Sequence, residues 1–317
     1  MIPGFIWGLM SRNADSTLVS EAAWEAIRGA YDLQVHVAPD VIARRTDDID
    51  LANDFLAHGL NGFVLKSHYL PTAERAKVVA RAVPGIVSYG AIALNHSVGG
   101  LNPVALEIAG RSGNKIVWMP TVDAANETAG RLDGPSEKLP FWAKIQREIA
   151  AAGITRPPIT VLNAGDHISE ETRQCLELIA KYDMILATGH LGRHEIFLLV
   201  REARRIGVGR IIVTHAEFPS QNLSGDEQAE LVALGAVIEH CFTTYHTNKA
   251  TWDSVFTNIQ KAGVERAIIS SDLGQPSNPP VAEGLAMFAQ KLLDAGFSRA
   301  EVQHMSARNP ARLIGQE

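Results

Sequence analysis

Tyr31-Asp-Leu-Gln-Val-His36 is a short, mostly apolar run that ends in a side chain able to bind a divalent metal. Three later stretches have the same form: Met184-Ile-Leu-Ala-Thr-Gly-His190, Arg210-Ile-Ile-Val-Thr-His215 and Arg266-Ala-Ile-Ile-Ser-Ser-Asp272. Runs that are apolar almost throughout are typical of parallel strands buried on both faces. The sequence therefore predicts four buried strands, each with a ligand-type side chain at its carboxyl end.

Strand and helix patterns alternate from one end of the chain to the other. Predicted strands cover residues 31–37, 62–67, 86–94, 115–120, 184–190, 210–215, 236–242 and 266–272. Each is followed by a helix, and a leading helix near 17–30, capped by Ser16 or Thr17, precedes the first strand. This pattern predicts an α/β fold, a (β/α)8 TIM-type barrel spanning 31–315. A doubly wound open sheet is disfavoured because no Gly-x-Gly-x-x-Gly turn follows the first strand.

The regular alternation breaks between residues 121 and 168, after the fourth strand. Glycine, proline and charged residues fill the middle of this segment, and a helical pattern follows at 141–152. Long excursions inside a compact domain are usually functional loops, lids or oligomer contacts. We expect an insertion there, within a single barrel domain that covers residues 1–317.

The composition favours a small-molecule enzyme over a protein that binds nucleic acid or membranes. The 317 residues are 46% hydrophobic and 20% charged, enough for one large core, and the formal net charge is −6. That charge offers no basic surface to nucleic acid or to anionic lipid. Cys175 and Cys241 form no spaced disulfide framework, which agrees with a reducing cytoplasm. The partner expected from composition is a small-molecule substrate.

The N-terminal segment Met1-Ile-Pro-Gly-Phe-Ile-Trp-Gly-Leu-Met10 is apolar but lacks a basic leader and is too short to span a bilayer. We expect it to pack against the barrel or against a second subunit. The sequence therefore predicts a homo-oligomer.

Polar residues collect at the predicted carboxyl ends of the strands, where barrel enzymes carry their catalytic groups. These residues are His36, Lys66, His190, His215, His240 and Asp272. A single histidine at a strand end is more often structural, so the argument rests on several ligand types meeting on one rim. Neutral imidazole and carboxylate ligands suit zinc first, and manganese, cobalt or iron as alternatives. The set predicts a divalent-metal site.

Several motifs together resemble the amidohydrolase superfamily of metal-dependent hydrolases. They are Asp32-Leu-Gln-Val-His36, Pro39-Asp40, Thr214-His215, Ser271-Asp272 and the terminal Asn309-Pro-Ala-Arg-Leu-Ile-Gly315. Leu65-Lys66-Ser67-His68 and Thr188-Gly189-His190-Leu191 are similar to segments of an uncharacterised branch of that superfamily. The resemblance covers roughly residues 31–315, and the order of the motifs is more specific than any one of them.

The resemblance implies metal ligands at Gln34, His36, His190, His215 and Asp272. It also implies that Asp272 takes a proton from the attacking water, so the expected reaction is hydrolysis of an amide, cyclic amide, lactone or ester. The metal, or a neighbouring His240 or His68, is expected to stabilise the oxyanion that forms at the attacked carbonyl.

Two positions depart from what the resemblance implies. Glutamine stands at position 34, where the superfamily usually has histidine, and an amide oxygen is a weaker zinc ligand than imidazole. Two-metal members add a carboxylated lysine or a bridging acid, commonly on the fourth strand. No lysine ends that strand here, which leaves Lys66 as a substitute or as a substrate-binding cation. One metal ion is therefore favoured over two.

Other polar residues near the strand ends are candidates for binding substrate. Arg44 and Arg45 follow the first strand and either clamp a carboxylate or are simply solvated. Asn95 begins a glycine-containing segment after the third strand, whose backbone amides could approach an anion. His68 follows the Lys66 strand end.

Three functions remain open from the sequence. A metal-dependent hydrolase is favoured. A metal-dependent decarboxylase on the same barrel is the alternative, and it should place an arginine, Arg44 or Arg45, in the barrel mouth. A non-catalytic binding barrel is the third, because Gln34 weakens the metal site.

Overall fold

The chain folds into an eight-stranded parallel barrel surrounded by helices, as the sequence predicts. The computed structural model describes residues 19–129 and 139–316. Neighbouring strands pair in parallel and in chain order. The strands are β1 (Tyr31–Val35), β2 (Gly62–Leu65), β3 (Val87–Ala93), β4 (Asn114–Trp118), β5 (Ile185–Ala187), β6 (Arg210–Val213), β7 (Val237–Cys241) and β8 (Ala267–Ser270).

Helices connect successive strands and cover the outside of the barrel. They are α1 (Glu21–Ala26), α2 (Asp48–Ala57), α3 (Ala73–Ala82), α4 (Pro103–Arg111), α5 (Ala125–Thr128), α6 (Phe141–Ala151), α7 (Glu170–Lys181), α8 (Arg193–Ile206), α9 (Gly225–Ala233), α10 (Phe242–His246), α11 (Trp252–Ala262), α12 (Val281–Asp294), α13 (Arg299–Gln303) and α14 (Asn309–Ile314). Within the described residues, no helix is long and apolar enough to cross a membrane.

The last strand returns to the first at the C-terminal end of the barrel. A parallel bridge joins Val35 to Leu273. The backbone N–H of His36 donates to the carbonyl of Leu273 at 2.8 Å, and the N–H of Asp272 donates to the carbonyl of Gln34 at 3.0 Å. This pairing brings His36 and Asp272 side by side, although 236 positions separate them in the chain.

The strands end earlier than the sequence pattern predicts. The structure ends β5 at Ala187, β6 at Val213 and β8 at Ser270, so His190, His215 and Asp272 lie in the loops just beyond. The predicted order of elements is confirmed, but the ligand-type residues stand above the hydrogen-bonded sheet rather than within it.

The barrel interior is apolar in its lower part and closed at its N-terminal end. Inward-facing residues such as Leu33, Ile116 and Ile212 form one buried cluster. Leu313 and Ile314 of α14 join this cluster from below. Leu313 and Ile314 therefore fill this end of the barrel interior.

The leading helix is shorter than predicted in the part of the chain that the structure describes. The Oγ of Ser20 accepts a hydrogen bond from the N–H of Ala23 at 3.2 Å and begins α1. The predicted caps Ser16 and Thr17, and the apolar segment 1–10, lie outside the described residues.

The described part of the insertion contains α5 and α6, and α6 is close to the helix predicted at 141–152. Residues 130–138 of the insertion lie outside the described residues.

Candidate active site

A cavity of about 470 Å³ opens at the C-terminal end of the barrel. Seven of the eleven residues that the sequence singles out line it: His36, Arg44, Lys66, His68, His190, His215 and Asp272. The other four, Gln34, Arg45, Asn95 and His240, do not line it. Histidines and an aspartate from strands that are distant in sequence therefore do meet in one place.

His36 and Asp272 form a direct contact at the junction of β1 and β8. Nε2 of His36 lies 3.1 Å from Oδ1 of Asp272, and Nη2 of Arg44 lies 3.3 Å from Nδ1 of His36. The guanidinium is itself held by Asp40, whose Oδ2 accepts from Nε of Arg44 at 2.7 Å. Burial, followed by the positive charge of Arg44, lowers the pKa of His36 to about 4. His36 is therefore neutral at physiological pH.

Asp272 is ionised despite being buried. Burial alone would raise its pKa, but the hydrogen bond from His36 and the positive charge of Lys66 hold the pKa of Asp272 well below its usual value. The pocket thus contains a carboxylate that can accept a proton.

His190 and His215 form the opposite wall of the pocket. Their ring centroids are 4.9 Å apart. Oε2 of Glu127 lies 3.5 Å from Nδ1 of His190. Burial, followed by the charge of His190 and then that of Lys66, lowers the pKa of His215 to about 3. Nδ1 of His190 and Nδ1 of His215 accept or donate no hydrogen bond among the described residues.

His68 lies between the two walls and is fixed by hydrogen bonds. Its ring stacks on His36 at 5.0 Å and meets His190 edge-on at 5.9 Å. Its Nδ1 is 2.8 Å from the hydroxyl of Thr121. Nδ2 of Asn95 donates to the carbonyl of His68 at 2.8 Å and to the Thr121 hydroxyl at 2.7 Å. Asn95 thus holds the loop that carries His68. The geometry does not support a contact between Asn95 and a substrate.

Lys66 projects from the end of β2 into the pocket. It is 3% exposed, and its Nζ lies 4.9 Å from the ring centroid of Trp118. Burial lowers the pKa of Lys66, whereas the carboxylates of Asp272 and Glu239 act in the opposite direction. Lys66 is therefore a buried amine that faces the substrate space.

Two of the pocket residues have backbones that non-glycine residues rarely adopt. His215 has φ 31° and Asp272 has φ 52°, both in the left-handed region. Such conformations cost free energy and persist where the surrounding structure imposes them, which is often at functional sites. Gly189, with φ 61°, has the carbonyl oxygens of Met119 and Pro120 at 2.4 and 2.7 Å from where a Cβ would be, so it allows the turn that presents His190.

Three predicted site residues do not line the pocket. Gln34 is fully buried, and neither polar atom of its amide has a hydrogen-bond partner among the described groups. The Arg45 guanidinium is exposed and donates to the carbonyls of Pro276 and Asn278 at 3.1 and 2.7 Å. His240 lies on the outer face of β7, where its Nδ1 is 3.2 Å from the Glu217 carboxylate.

The buried Glu217 explains why His240 turns outward. Its carboxylate also accepts from Gln228 at 2.7 Å, from Asn258 at 2.9 Å and from the hydroxyl of Tyr245 at 2.7 Å. Burial raises the pKa of Glu217, but the charge of His240 and these donors outweigh it and lower the pKa to about 2. This network joins β7 to α9, α10 and α11, and it gives His240 a structural partner rather than a place in the pocket.

The sequence reasoning missed several residues of the pocket wall. Glu127, Trp142, Phe218 and Lys249 line the cavity. Nζ of Lys249 lies 4.4 Å from the ring centroid of Phe218. An acid following the fourth strand was a usable signal for Glu127, because the superfamily that the chain resembles commonly has a bridging acid there. No comparable signal marks the aromatic residues.

The donor chemistry of the pocket fits a divalent metal, although the donors are not gathered around one point. Across residues 19–129 and 139–316, no three His, Cys, Asp or Glu side chains have the spacing of a metal site. The buried Nδ1 of His215 lacks a hydrogen-bond partner among the described residues, the ring of His190 lies beside it, and Asp272 is anionic. Buried imidazole and carboxylate are the ligands that zinc, manganese, cobalt and iron accept.

Comparisons with known proteins agree with the fold. A family model described as a family of unknown function (DUF6282) matches residues 29–239. No curated protein matches the chain. An amidohydrolase from Pseudomonas aeruginosa aligns over 93% of this chain and 98% of its own, with a TM-score of 0.61 and 10% identity.

Two other solved structures are similar to the same extent. An organophosphorus hydrolase from Deinococcus radiodurans aligns over 92% of this chain and 94% of its own (TM-score 0.56, 15% identity). A dipeptidase described as a metallopeptidase aligns over 92% and 98% (TM-score 0.55, 12% identity). At these identities the likeness concerns the fold. The predicted resemblance to the amidohydrolase superfamily is confirmed at that level, and the unknown function of the matching family agrees with an uncharacterised branch.

Proposed function

The chain belongs to DUF6282, a family of unknown function, and we propose that it is a metal-dependent hydrolase acting on an amide, cyclic amide, lactone or ester of a small molecule. The observation that carries the proposal is the meeting of His190, His215 and Asp272 in one pocket at the C-terminal end of the barrel. That end carries the active site in nearly all barrel enzymes of this type. The left-handed backbones of His215 and Asp272 add support, because strain is retained where a side chain must be aimed.

Zinc would be held by residues of the two pocket walls, with His190, His215 and Asp272 as the leading donors. A divalent ion bound there would polarise the scissile carbonyl and lower the pKa of a water molecule from about 15.7 towards about 7. Asp272 would take the proton of the attacking water and pass it to the leaving group. His68 and Lys66 face the same space and are placed to stabilise negative charge on the carbonyl oxygen.

The cavity suits a small substrate with an apolar part. Its volume of about 470 Å³ falls in the range of small-molecule sites. Trp142 and Phe218 line one side, so an aromatic or aliphatic group would bind there, while the reacting carbonyl would lie near Asp272.

A decarboxylase is the second candidate, because Arg44 does line the pocket. An arginine in the barrel mouth could bind a substrate carboxylate. However, its guanidinium already bonds Asp40 at 2.7 Å and approaches His36 at 3.3 Å, which leaves it fewer donors for a substrate. We therefore place this activity behind hydrolysis.

Elemental analysis of the purified protein tests the proposal. Wild type is expected to contain about one equivalent of zinc or another divalent metal, and His215→Ala to contain almost none. His194→Ala is the matched control, because His194 is an exposed histidine paired with Asp166 on the surface. It should retain the wild-type metal content.

A hydrolysis screen over lactones, hydantoins and N-acyl compounds follows for the metal-loaded protein. Hydrolysis lost in His215→Ala and kept in His194→Ala would support the proposal. Equal and negligible metal in all three proteins would refute it and would favour a non-catalytic binding barrel. The homo-oligomer and the cytoplasmic location stay predictions from sequence, to be measured by light scattering and by cell fractionation.

A further inference from the structure

The polar groups nearest to Nδ1 of His36 and to Nδ1 of His190 have opposite hydrogen-bonding character. The atom facing Nδ1 of His36 is Nη2 of Arg44, at 3.3 Å. A guanidinium has donors and no acceptor, so this contact is a hydrogen bond only if Nδ1 of His36 carries a lone pair. A neutral imidazole then has its proton on Nε2, and that proton is directed at Oδ1 of Asp272, 3.1 Å away.

Asp40 keeps the guanidinium in this position. Its Oδ2 lies 2.7 Å from both Nε and Nη2 of Arg44, and the two side chains are only 1% and 4% exposed. Nε donates a hydrogen bond to this oxygen and Nη2 lies against it, so Asp40 holds two nitrogens of the guanidinium rather than one. The donor beside Nδ1 of His36 is therefore part of a built arrangement rather than a mobile surface group.

Nδ1 of His190 faces an acceptor instead. Oε2 of Glu127 lies 3.5 Å away, and Glu127 is 1% exposed. A carboxylate at Nδ1 favours the proton on that nitrogen, which leaves the lone pair on Nε2. Imidazoles that bind metals through Nε2 commonly have a carboxylate on their other nitrogen.

We propose that His36 and His190 have opposite tautomers, so that the metal is held by His190 and His215 with Asp272, while His36 serves as a hydrogen-bond donor that orients Asp272. The metal half of this inference rests on the proposed function. The tautomer half concerns the metal-free protein and stands without it.

The arrangement also accounts for Gln34. With Nε2 of His36 protonated and glutamine at position 34, β1 supplies no imidazole lone pair to a metal. A bound ion would therefore be held on the β5 and β6 side of the barrel. Oδ1 of Asp272 accepts from His36, so Oδ2 would be the oxygen available to such an ion.

Nitrogen-15 spectroscopy of the metal-free protein tests the tautomers directly. Long-range proton–nitrogen correlation distinguishes a protonated ring nitrogen from a bare one, and the variants His36→Gln and His190→Gln assign the two rings. At neutral pH we expect His36 to be protonated on Nε2 and His190 on Nδ1. The same tautomer in both rings would overturn the proposal.

A pair of substitutions tests the cause. Arg44→Met removes the donor beside Nδ1 of His36. In this variant the nitrogen spectrum should no longer show His36 protonated on Nε2 alone. Arg44→Lys keeps a donor and a charge at the same position and should keep that signature. A His36 tautomer unchanged in folded Arg44→Met would show that Arg44 does not set it. If Arg44→Met fails to fold, the wild-type spectrum alone decides the tautomers.

Zinc titration by calorimetry tests the metal half. His190→Gln removes a ligand and is expected to abolish measurable zinc binding, whereas His36→Gln removes only a hydrogen bond to Asp272 and is expected to weaken binding by about 10-fold. Equal loss in both variants, with wild-type circular dichroism, would refute the assignment of ligands. If wild type binds no zinc, the proposed function and the metal half fail together, and the nitrogen spectrum still decides the tautomers by itself.

Discussion

The α-carbon of Gly274 lies so close to the backbone of His36 that a Cβ on Gly274 would be 1.5 Å from the carbonyl oxygen of His36. Gly274 also has φ 131°, a conformation that side chains rarely allow. Its carbonyl accepts from the N–H of Arg45 at 2.8 Å. This one residue therefore ties the loop after β8 to the loop after β1, and it sets the distance between His36 and Asp272.

Gly274→Ala should strongly destabilise the protein. The added methyl group collides with backbone rather than with a flexible side chain, so the two loops must move apart. We expect a loss of about 3 kcal/mol or more in the free energy of unfolding, measured by urea denaturation. Gly209→Ala is the control, since nothing lies within 4 Å of a Cβ there. Equal stability of the two variants would contradict the close contact.

The barrel follows from the sequence because its signal is repeated eight times and does not depend on exact boundaries. Apolar runs such as Ile211–Val213 are typical of strands buried on both faces, and the helical patterns between them favour a parallel order. The rim residues His36, His190, His215 and Asp272 follow from the same reasoning, because every strand of a parallel barrel ends on one side.

Which way a side chain points does not follow from the sequence. In Val237-Ile-Glu-His-Cys241, both Glu239 and His240 are polar, and a strand that is buried on both faces lacks the alternation that would tell inward from outward. The structure turns Glu239 to Ser270 in the interior and His240 to Glu217 outside.

The loops are unpredictable for a related reason. Arg44 and Arg45 are adjacent and chemically identical, yet one reaches His36 and the other binds the carbonyls of Pro276 and Asn278. A loop's path depends on contacts far along the chain, which no local pattern encodes. Glu127 and Trp142 come from the insertion, where the strand and helix periodicity stops.

Glu217→Gln should cost about 3–5 kcal/mol of stability at neutral pH, because it removes the charge that satisfies several buried donors. The glutamine amide also places an N–H against Gln228 and Asn258, which are themselves donors to this site. Urea denaturation measures the loss. Glu230→Gln is the control, since that carboxylate is 54% exposed and pairs with Arg201 at the surface. It should change stability little.

The pH dependence of this variant gives a second check. The pKa of Glu217 is lowered in the folded protein from 4.5 to about 2. A lowered carboxyl pKa contributes stability that is present above about pH 4.5 and is lost as pH falls towards 2. The difference between wild type and Glu217→Gln should therefore shrink on acidification through this range. A constant difference would show that the carboxylate charge is not what stabilises the network.

Glu239→Gln should have the opposite pH behaviour. Burial raises the pKa of Glu239 from 4.5 to about 8, with Ser270 opposing through a 2.7 Å hydrogen bond to its carboxylate. The folded protein then holds a proton that the unfolded chain releases, so stability falls as pH rises from about 4.5 to 8.

Glutamine cannot ionise and still accepts from Ser270 through its amide oxygen. The variant should therefore be similar to wild type near pH 4.5 and more stable by on the order of a few kcal/mol near pH 8, as measured by denaturation across that range. A gain that does not grow with pH would mean that Glu239 is already ionised when folded, with Lys66 as its counter-charge.

Gln34→Leu should raise stability by about 1–3 kcal/mol, because the wild-type amide is fully buried and neither of its atoms has a hydrogen-bond partner among the described groups. Leucine has a similar size and needs no partner. Gln228→Leu is the matched control. Gln228 is equally buried, but its Nε2 donates to Glu217 and to the carbonyl of Leu223, so its loss should destabilise the protein by about 1–3 kcal/mol.

Thermal unfolding of the two variants, with metal content measured on the same samples, separates a structural role of Gln34 from a role in binding metal. A more stable Gln34→Leu with wild-type metal content means that the amide is not a ligand, as the tautomer of His36 implies. A loss of metal would instead identify its carbonyl oxygen as a donor and would return the site to the β1 side of the barrel.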